Sequence, residues 1–455
     1  MLPFRPLVRQ ISSCVVYVRT TQTDVIPASL RDALIVSDLP GGTLLHNVAA
    51  LTGTVGNPVP AARDLFTFAG AIYVADKKMP RRSTADAWTR EFDVRMPVAN
   101  PARWERARPA LEEALAFVTG DRWRLRFREG IDRPPRSRKL DITYDAVHLF
   151  SGGLDSLIGA IDALERGNRV LLVGHHDSTM TEAPQRKLYT ALSEEYGDLA
   201  GFVPVRVKPN GHAMQYPLPS GRETSTRSRS LVFIAMGLVG ASALGSDVPL
   251  RIPENGLIGL NVPLVPERSG SCSTRTTHPY FLARLRDALD SLGIRNPLEN
   301  PYVLLTKGRM LQDCLNADLV RRIGPNSVSC THPEQARWNG LAGFEKNCGY
   351  CYPCIIRRAA FHAIGADRFR KNYRIDVCRQ PGFIREHVRG RDLRAVLSAL
   401  CAPRERFAPL VAGPLPGSVS FGDLAALHRR GLGELHAFFA SKGSPEIKAY
   451  AGFER

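Results

Sequence analysis

Ser151-Gly152-Gly153-Leu154-Asp155-Ser156 stands between two apolar patterns of different period. Before it, Ala146-Val147-His148-Leu149-Phe150 reads as a buried strand. After it, Leu157, Ile158, Ile161 and Leu164 recur at helical spacing, and Gly167 sits where a helix C-cap belongs. The hexapeptide is therefore a glycine loop that joins a strand to the start of a helix. Such a loop aims backbone N–H groups and the positive end of a helix dipole at an anion, and its glycines let a phosphate approach the backbone. Ser151, Ser156 and the loop amides are the candidate donors. The Gly-x-x-x-x-Gly-Lys-Ser/Thr loop of ordinary NTPases is absent, and no lysine closes this one.

Working outward, Arg169 to Val173 reads as the next strand and ends at Gly174-His175-His176-Asp177. A helix is expected around Ala183 to Tyr196, and Phe202 to Val207 reads as a third strand. Strands alternating with helices imply a doubly wound parallel sheet, which binds ligands beyond the carboxyl ends of its strands. Ser151 and His175 to Ser178 fall at such ends. His176 has a pKa range suited to accepting a proton from an amine or to helping hold magnesium; a plain hydrogen-bonding or capping loop is the other reading.

Cys330 and the run Cys348-Gly349-Tyr350-Cys351-Tyr352-Pro353-Cys354 hold four of the nine cysteines. Two consecutive C-x-x-C steps fold into a knuckle presenting three thiolates, and Cys330 returns as the fourth. Four thiolates suit a closed structural zinc site, with an iron–sulfur cluster or disulfides as the alternatives.

The hexapeptide resembles the Ser-Gly-Gly-x-Asp-Ser signature of PP-loop ATP pyrophosphatases. Members of that family split ATP between the α and β phosphates and place AMP on an oxygen that a nucleophile then frees. The loop followed by Cys330, Cys348, Cys351, Cys354 and Arg357 resembles the 7-cyano-7-deazaguanine synthases, the QueC family, over about residues 141–375. Thr306-Lys307-Gly308-Arg309-Met310 and Ser228-Arg229-Ser230-Leu231-Val232-Phe233 resemble two further motifs of that family. The resemblance implies ATP and magnesium, with Asp155 near the metal and Lys307 and Arg229 as cations for the phosphates; Arg222 and Arg227 lie close to Arg229 in sequence. A deazapurine-type substrate would meet Glu254, Asn255, Arg275 and His278. The family's Tyr-Pro-Asp-Cys-Arg segment is replaced by Ser271 to Pro279, a hydroxyl-rich loop, after a strand expected at Gly256 to Asn261. The layout, with its long N-terminal region, is most similar to QatC, the QueC-like subunit of Qat anti-phage systems, which implies protein partners from a defence operon. The reading is an enzyme that adenylates a carboxylate and passes it to nitrogen. A nucleic-acid-modifying PP-loop enzyme and a non-catalytic nucleotide-binding subunit are the alternatives.

The remaining sequence frames that centre. With 455 residues and 44% hydrophobic content, the chain has room for several cores. No apolar run approaches the about 18 residues of a membrane span, and Met1 to Arg19 lacks a proper signal-peptide h-region, so a cytoplasmic protein away from membranes is expected. The net charge of +17 suits an anionic substrate and permits nucleic-acid contact.

Four regions are expected. An N-terminal α+β domain, 1–135, would dock a partner; the PP-loop domain spans 141–325, the knuckle 326–375, and a helical segment 376–455. In the first, Ala71 to Asp76 and Phe92 to Val98 read as strands, Trp104 to Val118 as an amphipathic helix, and Trp123 to Phe127 as a strand. Trp88, Arg90 and Asp121 invite a site assignment there, but packing and ion pairing is the favoured reading. Arg133 to Lys139 has the composition of a linker. A helix is expected at Ile356 to Ile364, and helical hairpins around a loop at Pro403 to Ser418 fill the C-terminus.

Overall fold

The computed structural model describes residues 13–130, 143–225, 227–264, 275–332, 347–368, 372–401, 415 and 419–453. In chain order the elements are β1 (Cys14–Arg19), β2 (Leu34–Ser37), β3 (Leu44–His46), α1 (Ala49–Val55), α2 (Pro60–Lys78), β4 (Glu91–Val98), α3 (Pro101–Thr119) and β5 (Arg122–Glu129). Then come β6 (Ala146–Leu149), α4 (Leu154–Glu165), β7 (Val170–His176), α5 (Thr179–Tyr196), β8 (Ala200–Pro209), α6 (Arg229–Leu244), β9 (Leu250–Arg251) and α7 (Gly256–Leu260). The chain continues through α8 (Pro279–Leu292), β10 (Leu298–Glu299), α9 (Lys307–Asp313), α10 (Ala317–Ile323) and α11 (Tyr352–Ala363), and ends in helices Arg391–Cys401, Phe421–Lys442 and Pro445–Tyr450. These elements form two compact units, one of residues 1–142, 205–248 and 281–297, the other of 143–204, 249–280 and 298–455. The linker at Arg133 to Lys139, the segment Ser271 to Thr274 and most of the Pro403 to Ser418 loop lie outside the described residues.

In the first unit, β2-β1-β4-β5 is a parallel sheet, registered Val16 to Leu34, Val16 to Val94 and Val94 to Leu125. The expected strands and helix at β4, α3 and β5 are present. Asn100 starts α3 by accepting from Arg103 N–H at 3.1 Å, and Pro101 follows at its first turn. Ala71 to Asp76 is not a strand; it lies within α2, every one of its residues buried. A helix covered on all sides loses the 3.6-residue alternation, so its apolar run reads like a buried strand.

The same unit shows what Trp88, Arg90 and Asp121 do. Arg90 Nη2 lies 2.6 Å from both Asp76 Oδ1 and Asp121 Oδ2, and Arg81 Nη1 lies 2.9 Å from Asp121 Oδ1, all four side chains buried. Arg81 and Arg227 sit 4.9 and 4.7 Å from the Trp88 ring centroid. This is the ion pairing and packing that the sequence favours. Removing one partner of such a buried network costs about 3–5 kcal/mol, because the other charges stay buried.

In the second unit, strand order is β10-β9-β6-β7-β8, with β6 parallel to both β7 and β9, and β9 parallel to β10. Consecutive strands run from β6 to one side, and β9 and β10 take the other. That reversal makes a switch point between β6 and β9, the place where open α/β sheets bind ligands. The loops after the two strands are Phe150 to Gly153 and Ile252 to Asn255. The stretch expected as a strand, Gly256 to Asn261, is instead the short helix α7 and its cap. Asn255 Oδ1 accepts from Ile258 N–H at 3.0 Å to start α7, and Asn261 at φ 42° ends it.

Candidate functional site

The loop after β6 takes its shape from two glycines. Gly152 has φ 79°, where L side chains are strained, and a Cβ there would lie 3.1 Å from Gln185 Cγ. Gly153 is the extended residue before α4. Its N–H donates to Ser151 Oγ at 3.2 Å, and the Ser156 hydroxyl donates to its carbonyl at 3.0 Å. The loop thus shapes the start of α4, with Ser151 exposed and Ser156 buried.

Beneath the loop, Asp155 gathers three chain segments. Lys307 Nζ lies 2.5 Å from Asp155 Oδ1, and Asn255 Nδ2 donates to Asp155 Oδ2 at 2.7 Å, seconded by the Asn255 backbone N–H at 3.2 Å. Asp155 and Lys307 are 5% and 4% exposed, so the ion pair is desolvated and its geometry is held by charge-assisted bonds. Asn255 serves two ends: its oxygen caps α7 while its amide holds Asp155. Burial, then the Asp155 carboxylate, push Glu254 up to about 8, against the opposing pull of Lys307. Lysine, aspartate, asparagine and glutamate, named separately from sequence, therefore form one cluster at the switch point.

The four thiols of Cys330, Cys348, Cys351 and Cys354 have Sγ atoms all within 4.8 Å of one another, and all four are free. Tetrahedral coordination at a metal–sulfur distance of about 2.3 Å places sulfurs about 3.8 Å apart. Cys348 and Cys354 are at 3.8 Å. The set fits one ion rather than a multinuclear cluster, so these residues could hold zinc. The N–H groups of His332 and Cys348 donate to Cys330 Sγ at 3.3 and 3.4 Å, and Cys351 N–H donates to Cys348 Sγ at 3.4 Å. Such donors favour thiolate charge. Gly349, at φ 88°, makes the turn; a Cβ there would lie 2.1 Å from the Ile375 carbonyl oxygen.

The knuckle and the glycine loop are joined by residues whose part the motif pattern alone does not reveal. Val328 N–H donates to the Gly152 carbonyl at 2.9 Å, and Leu154 N–H to Ser329 Oγ at 3.3 Å. Arg357, fully buried on α11, donates to the carbonyls of Gly324 and Ser327 at 2.9 and 3.2 Å and to the Tyr373 hydroxyl at 2.7 Å. It thereby sets the segment that leads into Val328 and Ser329. Gln185, buried on α5, donates to the His175 carbonyl at 2.9 Å and walls the loop at Gly152. Arg357 and Ser329 flank cysteines in the sequence pattern, a usable signal; Gln185 carries none.

The other candidates belong to other elements. His176 ends β7, buried, its Nε2 3.3 Å from Glu182 Oε2. His278 is buried just before α8 and accepts from Tyr280 N–H at Nδ1, 3.2 Å; burial, then Arg275, push it down to about 4. Arg275 is partly buried, and that burial lowers its pKa. Arg229 opens α6 in the first unit, and its sequence neighbours Arg222 and Arg227 precede that helix in the same unit.

The fold is mixed α/β with parallel sheets and a four-cysteine cluster, consistent with a PP-loop fold. No protein-family profile matches the chain, and no solved structure does. The chain is similar to the 7-cyano-7-deazaguanine synthase of Parasynechococcus marenigrum strain WH8102, 27% identical over 236 residues, which are 48% of this chain and 93% of that protein. It is 26% identical over 240 residues to the 7-cyano-7-deazaguanine synthase of Synechococcus sp. strain CC9605, again 48% of this chain and 93% of that one. Nearly the whole of each relative thus corresponds to about half of this chain. Among the described residues no helix is long and apolar enough to cross a membrane.

Proposed function

We propose that this chain is an ATP-dependent enzyme that activates the carboxylate of 7-carboxy-7-deazaguanine or a close relative and transfers the acyl group to nitrogen, within anti-phage defence. The observation that carries the reading is the meeting of the glycine loop with Asp155, Lys307 and Asn255 at the switch point, in a chain similar to two 7-cyano-7-deazaguanine synthases. The defence setting rests on the similarity of layout to QatC.

In this reading a carboxylate oxygen of the substrate attacks the α-phosphorus of ATP. The bond from that phosphorus to the bridging oxygen breaks, and pyrophosphate leaves with its electron pair. The loop amides and the start of α4 hold the departing phosphates, and Lys307 offsets charge that grows as the bond breaks. A nitrogen lone pair then attacks the acyl carbon, the acyl–oxygen bond breaks, AMP departs, and the nitrogen proton passes to solvent or a nearby base. Magnesium bound at Asp155 would neutralise phosphate charge, and zinc on the four cysteines would hold the Ser327 to Cys330 segment against the loop. Asn255 keeps the Asp155 carboxylate in one orientation. Arg229 is assigned to phosphate binding on the resemblance, and Glu254, Arg275, His278 and His176 to the substrate.

The test is ATP turnover with magnesium and 7-carboxy-7-deazaguanine, with and without ammonium, followed by mass spectrometry. AMP and pyrophosphate in equal amounts, with an amide or nitrile product, are expected. AMP without a small-molecule product, the adenylate being returned to the acid by water, points to a missing macromolecular acceptor. ADP, or no cleavage with candidate partners present, overturns the reading.

A further inference from the structure

The Phe421–Lys442 helix brings a carboxylate to the N-terminus of α9. Glu434 accepts from Gly308 N–H at 3.2 Å and from the Thr306 hydroxyl. Thr306 is itself the cap of α9, its Oγ1 accepting from Arg309 N–H at 3.2 Å. Lys307 lies between these two anchored residues. The contact is close: a Cβ at Gly308 would come within 2.6 Å of the Glu434 carboxyl group. The same helix reaches the neighbouring loop, where Arg430 Nη2 donates to the Leu304 carbonyl at 2.9 Å. It also lies against α7. A Cβ at Gly431 would be 2.6 Å from Leu257 Cδ2, and one at Gly256 would be 2.7 Å from Leu427 Cδ2. The elements that deliver Lys307 and Asn255 to Asp155 are thus both backed by one C-terminal helix.

The seven-residue α9 is too short to hold itself, and its first N–H groups have no partner within the helix. A carboxylate at that end satisfies them and suits the dipole. Lysine has a long, mobile stem, so the place of its ammonium depends on where the backbone is fixed. Small displacements of a reacting group cost rate steeply.

We propose that Glu434 is a positioning residue, clamping the start of α9 so that Lys307 meets Asp155, and that the C-terminal helix thereby sets the rate of the reaction. The proposal rests on the reading of Lys307 and Asp155 given above. Its test compares Glu434→Ala and Glu434→Gln in the full chain by two measurements. The first is hydrogen exchange at the Gly308 and Arg309 amides without substrate; the second is kcat and KM for ATP in AMP formation. Glu434→Ala is expected to speed exchange by about tenfold or more and to lower kcat about tenfold, with KM changed less than about threefold. Glu434→Gln is expected to restore both, because its amide oxygen accepts from Gly308 and its NH2 group donates to Thr306 Oγ1. A purely structural residue would alter stability and leave kcat per folded molecule unchanged. Unchanged exchange, or unchanged kcat in Glu434→Ala, overturns the clamp. If the unaltered chain forms no AMP, the functional reading falls and exchange alone decides the clamp. Should Glu434→Ala fail to fold, Glu434→Asp, one methylene short, carries the same comparison.

Discussion

Asp155 sits between a lysine and an asparagine, and each neighbour predicts a different consequence of substitution. Asp155→Ala would leave Lys307 buried without its partner, so folding would suffer along with chemistry. Asp155→Asn removes the same charge but keeps the shape and an amide oxygen that accepts from Lys307, and is the cleaner probe. It is expected to lower AMP formation about 100-fold or more while the far-UV circular dichroism spectrum stays unchanged. Asn255→Asp keeps the acceptor that caps α7 but sets a second carboxylate against Asp155 Oδ2, 2.7 Å from the lost amide. A loss of about 2–4 kcal/mol in urea unfolding is expected, well above the about 1 kcal/mol of a cap alone. No loss for Asn255→Asp beside about 1 kcal/mol for Asn255→Ala would show that the Asp155 contact carries no weight. The sequence names Asp155, Asn255 and Lys307 singly because each belongs to a motif or its flank. Their contact is not legible there, since 100 and 152 positions separate the partners. Glu434 is less legible still: it lies in an ordinary amphipathic helix, and only the approach of Gly308 marks it.

At the scale of the element, β6 carries an unusual side chain. His148 is buried in this strand, with neither ring nitrogen hydrogen-bonded, and burial, then Arg251, push it down to about 3. The unfolded imidazole protonates near 6.5, the folded one only near 3. Its contribution is therefore intact above pH 6.5 and is lost as pH falls through that window, at about 1.4 kcal/mol per pH unit. His148→Leu is expected to flatten the decline of melting temperature between pH 6.5 and 4.5, and a slope equal to that of the unaltered chain would count against this account. Elements also show where patterning succeeds and fails. β4, α3 and β5 are readable because each has one wet face, so polarity alternates along it. α2 and α7 are not, for opposite reasons: α2 is buried on all sides from Phe68 to Asp76, and α7 is so short that its cap, Asn255, decides its state.

For the molecule as a whole, the four-cysteine knuckle is the simplest handle. Cys351→Ser is expected to lower bound zinc below one equivalent and to reduce melting temperature, with a smaller effect on ATP affinity; metal analysis by mass spectrometry checks it. Ser329→Ala, which removes the acceptor of Leu154 N–H, should leave zinc at one equivalent and weaken ATP binding about three- to tenfold. If both variants lose metal equally, the Ser329 bond belongs to the knuckle rather than to the loop. The knuckle is legible because metal chemistry restricts cysteine spacing. The division into two units is not, because residues 205–248 and 281–297 join the first by contacts that no local pattern announces.

The Asp155 cluster draws its members from far along the chain. Asn255 is 100 residues beyond Asp155, Lys307 is 152 beyond it, and Glu434 is 126 beyond Gly308. A polypeptide emerging from the ribosome therefore exposes its glycine loop long before the residues that govern it exist. Under the function proposed above, nucleotide turnover waits on the order of synthesis itself, until the Phe421–Lys442 helix has been made.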